Sequence, residues 1–300
     1  MKLVIYIVCG VLLLLLLIVL IVSAVITKMV VCPHRYTRKE QHEYNLKMNN
    51  EVGCECLQRT PIEFTMKDGY IIHGDYSLIK DSKKMCILVH GHGTSREGAL
   101  RYSLLFHQLG FSTLIYDQRS HGDNIWKDVS MGVKESQDLN EIISQVYSKF
   151  GSDLYLGLQG TSMGGATVLL ALKGDQKIQF VVSDCAYATF KSSLKDMIRH
   201  YHLPSFIFMP FVNLNLRLFH HWSLKDASPI EAVKKTDVPI LFIHGDKDTF
   251  VATKNVNELY DSCHSIKQMW ICKDAKHAGS IYTDPEEYKK QVESFLKEIN

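Results

Sequence analysis

Sixteen residues, Leu154 to Leu169, constrain this chain more than any others. Leu154 to Gln159 is apolar enough for a buried strand, and the run through Val168, Leu169, Leu170 and Leu172 reads as a helix. Between them stands Gly160-Thr161-Ser162-Met163-Gly164, a G-x-S-x-G turn joining strand to helix. Such a turn lifts its serine on a sharp, strained corner, where side chains two residues away on either side would collide. Gly160 and Gly164 remove those side chains, and Gly165 lets the helix lie close on its strand. The helix N-terminus then directs free N–H groups and its positive dipole end toward Ser162. Ser162 is the candidate nucleophile.

Leu3 to Ile26 is a second strong constraint: twenty-four residues with no charge, dominated by Leu, Ile and Val. At about 1.5 Å per residue this exceeds the ~30 Å hydrocarbon core of a bilayer. No small-x-small cleavage site follows it, and Val30-Val31-Cys32 is a poor lipobox, so residues 1–28 are expected to form a single-pass membrane anchor. Lys2 lies on one side; Lys28, Arg35, Arg38 and Lys39 lie on the other, which leans toward a cytoplasmic domain. Seven cysteines outside the anchor, an odd number scattered through apolar runs, lean the same way. An exported domain stays open as the alternative.

Residues 29–60 are polar and without clear period, and read as a juxtamembrane linker with one short helix at most. The folded domain is expected over residues 61–300. It opens with a hairpin, Ile62 to Met66 and Tyr70 to Tyr76 around Asp68-Gly69. Strands and helices then alternate: Met85 to Val89, Glu97 to Leu109, Ser112 to Tyr116 and Val133 to Phe150 precede the Ser162 turn. Ile178 to Ser183, Pro239 to Ile243, Ala252 to Tyr260, Ile266 to Cys272 and Pro285 to Ile299 follow it. Continuous apolar strands between amphipathic helices predict an α/β fold, a mostly parallel sheet covered on both faces. With a net charge of +2 and no basic block interleaved with aromatics, no nucleic-acid partner is expected.

More than fifty residues separate the strand ending near Asp184 from the one starting at Pro239. A connection that long is usually functional. The stretch at about 190–226 carries Met197, Ile198, Tyr201, Phe206, Phe208, Phe211, Leu216 and Trp222, and predicts a small helical cap. Most of its apolar side chains are expected to pack on one another, and the rest to face Ser162 and line an apolar pocket.

This order of elements resembles the α/β-hydrolase superfamily across Pro61 to Asn300, and in particular small bacterial membrane-anchored serine hydrolases, peptidase S9- and S33-type and esterase-type members. His90-Gly91-His92-Gly93 is similar to that family's HG-x oxyanion loop, which implies the backbone N–H groups of His92 and Met163 as oxyanion donors. A His-x-His metal site at His90 and His92 is the rival reading, without an acidic cluster beside it to support it. Asp117-Gln118-Arg119-Ser120-His121-Gly122 looks like the family's D-x-R-x-x-G loop. His244-Gly245-Asp246-Lys247-Asp248-Thr249-Phe250-Val251 resembles the G-x-x-D-x-x-V-P loop, with Ala252 where proline is usual, and implies Asp248 as the acid. Asp246 and Asp184 are the alternatives. His277, on the loop between last strand and last helix, is the implied base; His264 sits at the wrong end of that strand.

The expectation is a serine hydrolase acting through Ser162, His277 and Asp248, with no cofactor and no metal. Its substrate would be a small-molecule ester or related acyl compound, or a peptide, and its lipid contact would run through the N-terminal helix. A serine aminopeptidase or oligopeptidase is the alternative within enzymes, and a non-catalytic ligand-binding protein the alternative from another class. Because every candidate residue lies beyond Lys39, a chain begun there is expected to be soluble and active on short esters.

Overall fold

The computed structural model describes residues 1–299. Asn300, the end of the expected domain, lies outside them. The strands are β1 (Thr60–Thr65), β2 (Ile71–Ser77), β3 (Lys84–Val89), β4 (Ser112–Tyr116), β5 (Tyr155–Thr161), β6 (Phe180–Asp184), β7 (Ile240–Gly245) and β8 (Lys267–Cys272). They form one sheet in the order β1-β2-β4-β3-β5-β6-β7-β8. β1 and β2 pair antiparallel through the Asp68-Gly69 turn, and β2 pairs antiparallel with β4. Every other pairing is parallel. Met85 to Val89 in β3 and all of β6 and β7 are buried, as continuous apolar strands under two helical layers should be.

The helices are α1 (Lys2–Val31), α2 (Arg38–Lys47), α3 (Leu100–Gln108), α4 (Val133–Phe150), α5 (Met163–Ala171), α6 (Phe190–His200), α7 (Ser205–Phe219), α8 (Pro229–Val233), α9 (Lys254–Ser262), α10 (Ser280–Thr283) and α11 (Pro285–Glu298). α4 shows how one sheet face is covered. Leu139, Ile142, Ile143 and Val146 recur at helical spacing, are fully buried, and pack on β-strand residues such as Ile87 and Leu158. Each such side chain contributes about 2 kcal/mol. α3 and α11 close the other face through Leu105, Phe106, Tyr288, Val292 and Phe295. The helix expected from Glu97 begins as a 3-10 turn, Arg96–Ala99, and becomes α-helical only at Leu100.

Two N-terminal segments are more closely joined to this body than their composition suggests. α2 starts at a Thr37–Glu40 capping box. Arg38 then reaches the buried carboxylates of Asp75 (3.1 Å) and Glu97 (2.5 Å), and Asn45 donates to the Glu97 carbonyl at 2.8 Å. The stretch read as a linker is thus held by buried charge pairs. α1 is long and apolar enough to cross a membrane. Its exposed part runs from Lys2 to Ile21, apart from half-buried Val19; Val22 is half-buried, and Ser23, Ile26, Thr27, Val30 and Val31 form one buried face against α7. The Val31 carbonyl accepts from the Val129 N–H at 2.9 Å, and the Tyr36 N–H donates to the Gly93 carbonyl at 2.8 Å. A chain begun at Lys39 would therefore lose part of the core, and the expectation that it stays intact is revised.

Candidate active site

The turn at the end of β5 has the strained geometry that its glycines imply. Ser162 has φ +58° and ψ −117°, a conformation non-glycine residues rarely adopt. A Cβ at position 160 would lie 2.1 Å from the Gly164 carbonyl oxygen, and one at position 164 would lie 2.1 Å from that of Val89. The Ser162 N–H is tied to the Asp184 carbonyl on β6 at 2.8 Å. The helical ladder of α5 opens with the Ala166 N–H bonding to the Ser162 carbonyl, which leaves the Met163 amide in the first turn.

Two loops from the same end of the sheet complete the cluster. His277, after β8, has Nε2 2.8 Å from the Ser162 Oγ and Nδ1 2.7 Å from the Asp248 Oδ2. A carboxylate only accepts, so Nδ1 carries the proton and Nε2 is free to accept from the serine hydroxyl. The other carboxylate oxygen of Asp248 accepts from the N–H groups of Phe250 (2.9 Å) and Val251 (2.8 Å). Asp246 points elsewhere, 3.8 Å from the Lys247 amine, and the Asp184 carboxylate accepts from the Tyr102 hydroxyl at 3.2 Å. His264 is exposed at the start of β8.

Fully buried His244 was not among the sequence candidates. Its Nε2 lies 2.7 Å from the Val251 carbonyl and 3.2 Å from the Asp248 Oδ2, so it donates to both. Burial alone would raise the Asp248 carboxyl. Hydrogen bonds from His244, His277 and the Val251 amide together hold it well below the usual carboxylate range. His244 stands at the start of the His-Gly-Asp-Lys-Asp motif, but as one of fourteen histidines it carried no separate signal.

The His90–Gly93 loop passes directly beside the serine: a Cβ on Gly91 would sit 3.5 Å from that of Ser162. Its imidazoles are structural rather than convergent on one point. His90 spends Nδ1 on the Gly91 carbonyl (2.7 Å) and accepts the Gln118 N–H at Nε2 (2.9 Å). His121 donates from Nδ1 to the Arg119 carbonyl and accepts the Gly93 N–H at 3.1 Å. His92 Nε2 faces the Val30 carbonyl of α1 at 3.4 Å. Accepting an N–H requires a neutral ring, and burial supplies it. It pushes His90 and His92 down to about 4, and His121 well below its ordinary value. Arg119 of the D-x-R-x-x-G loop braces α4 through Asp138 (2.6 and 2.8 Å), and Asp117 pairs with Arg96.

Beside Ser162 stands an apolar wall. Met163 and Tyr187 join Phe208, Val212 and Leu216 of α7 and Ile26, Val30 and Val31 of α1 in one buried cluster. A cavity of about 1230 Å³ lies away from it, between α7, α8 and the end of α5. That cavity has none of Ser162, His277 and Asp248 among its lining residues, so it is not the pocket expected at the serine.

A hydroxyl, an imidazole and a carboxylate in this series can move a proton off the serine. Residues 80–232 match the family described as serine aminopeptidase, S33. The chain is also 30% identical to the uncharacterized protein YqkD of Bacillus subtilis, over 93% of this chain and 95% of that one. The chain belongs to this family of α/β hydrolases. It is 24% identical to the thiohydrolase aneE of Aspergillus aculeatus over 44% of each chain. The fold is similar to that of the Pyrococcus furiosus esterase Pf2001, with a TM-score of 0.66 over 83% of this hydrolase and 93% of that chain, at 24% identity.

Proposed function

We propose that this α/β hydrolase is a membrane-anchored serine hydrolase that cleaves carboxylic esters or related acyl compounds. Ser162 attacks the acyl carbon as His277 takes its proton. His277 then returns a proton to the leaving group, and Asp248 holds the imidazole in the tautomer this needs. The backbone N–H groups of His92 and Met163 stabilise the oxyanion. Water resolves the acyl-enzyme by the same proton path in reverse. The observation that carries this reading is the continuous hydrogen-bond series from Ser162 through His277 to Asp248, at 2.8 and 2.7 Å. The apolar wall of Met163, Phe208 and Val212 suits an acyl group. The family description favours a second reading, an aminopeptidase using the same three residues.

Ser162→Ala should leave thermal unfolding close to wild type while abolishing p-nitrophenyl ester turnover and labelling by a fluorophosphonate. Labelling that survives the substitution removes Ser162 from the mechanism.

A further inference from the structure

α7 has two apolar faces and only one of them is covered. Ser205, Phe208, Val212 and Leu216 are buried against the domain. Phe206, Pro210, Leu214 and Leu218 follow one another at four-residue intervals and all are exposed, Phe206 to 79%, with Phe206 and Pro210 at the cavity between α7, α8 and the end of α5. Residues four apart share a helix face, so these four form one ridge. Arg217 is the single charge between Ser205 and Phe219. A ridge this apolar, running the length of a helix, marks a surface that has a partner.

The contacts between α7 and α1 say which partner. Asn215 Nδ2 lies 3.4 Å from the Thr27 Oγ1. Further on, His220 pairs with Asp128 at 2.6 Å, and Asp128 also meets the Cys32 thiol. Moving toward the C-terminus of α7 therefore moves toward the C-terminus of α1. The N-terminal turn of α7, with Phe206, is then level with Val19 and Val22, which pack on the same cluster. Lys2 to Val22 of α1, at about 1.5 Å per residue, spans ~31 Å, the thickness of a hydrocarbon core. The bilayer boundary implied by α1 thus falls at the level where the outer ridge of α7 begins.

We propose that the N-terminal half of this ridge, with Phe206, is seated in the bilayer beside α1. The proposal rests on the reading of α1 as a membrane anchor. The inner face of α7, through Phe208 and Val212, shares one buried apolar cluster with Met163, which would give esters dissolved in the membrane an apolar route toward Ser162.

The test uses the full chain in phosphatidylcholine vesicles, with exposed Cys9, Cys32 and Cys56 replaced by serine and a nitrobenzoxadiazole label on Phe206→Cys. Quenching by doxyl-labelled lipid together with protection from iodide is expected; labels on Leu13→Cys and Lys290→Cys serve as lipid and water references. Iodide quenching at position 206 like that at 290, with lipid quenching at 13, overturns the docking while the anchor stands. Lipid-inaccessible labels at 13 overturn the anchor and the docking with it. Protection of position 206 from both quenchers, with crosslinked dimers, assigns the ridge to a second copy and overturns the lipid occupant. Phe206→Asp should also lose about tenfold in hydrolysis of a long-chain ester carried in the vesicles while keeping wild-type turnover of dissolved p-nitrophenyl acetate. Equal turnover of both esters by variant and wild type counts against the docking, and no turnover of either by wild type counts against the hydrolase reading alone.

Discussion

Asp248 and Asp184 stand at the ends of neighbouring strands and meet opposite environments. Asp248 accepts from two amides and two imidazoles, so its carboxylate stays charged and can hold the Nδ1–H of His277. Asp248→Asn should therefore cut kcat by about 10⁴, as in well-studied serine triads, because the amide favours the wrong histidine tautomer. Asp184→Asn should cost far less, and a steady-state comparison of the two variants decides which carboxylate serves the reaction. Asp184 is fully buried, and burial, only partly offset by the charge of His244, pushes it from the ordinary 3.8 up to about 6. A raised carboxyl binds its proton more tightly in the folded chain than in the unfolded one. The wild type therefore loses stability as pH rises through that window, by about 3 kcal/mol, and levels off above it. Asp184→Asn has no such titration, so its Tm should gain on wild type by a few degrees between pH 4 and pH 7. Parallel melting curves across that range would mean that Asp184 ionises at no cost.

At the scale of elements, the end of α1 is part of the hydrolase core. Ile26, Val30 and Val31 are nearly fully buried, at about 2 kcal/mol each, against a typical domain stability of about 5–15 kcal/mol. A chain begun at Lys39 should aggregate or melt well below one begun at Val22, which keeps that face; light scattering and thermal unfolding of the two compare them directly. Equal Tm values would show that the docking contributes nothing. This contact was not legible in the sequence, and the reason is physical. A buried face is read from its contrast with a polar one, and from Leu3 to Ile26 α1 has almost no polar residue to supply it. α7 hid its two faces in the same way. The capping box Thr37–Glu40 was legible in principle, but the partners that dock α2, Asp75 and Glu97, lie far along the chain. By contrast, the strands and the Ser162 turn could be read directly, because buried parallel strands and a glycine-flanked corner leave local signatures. Asp248 was implied by the resemblance of its loop to the G-x-x-D-x-x-V-P pattern, and His277 by its position after the last strand.

For the whole molecule, anchor, cap and reactive serine form one arrangement on this reading, and acyl-chain length is the variable that tests it. The cluster around Met163 is apolar but closely packed, so on this reading an entering acyl chain displaces packed side chains of that cluster. Each methylene that gains burial contributes about 0.8 kcal/mol, close to a factor of four. kcat/KM should then climb from p-nitrophenyl acetate through butyrate toward hexanoate and level off where the wall no longer yields. Phe208, on the inner face of α7, sets that limit, and Phe208→Ala should carry the climb to longer chains at a cost of about 3–5 kcal/mol in stability. The shift of the plateau separates a lining role from a merely structural one, since general destabilisation would lower every ester alike. A flat wild-type profile, joined to rapid cleavage of aminoacyl amides, would instead assign the wall to packing alone and the serine to peptide substrates.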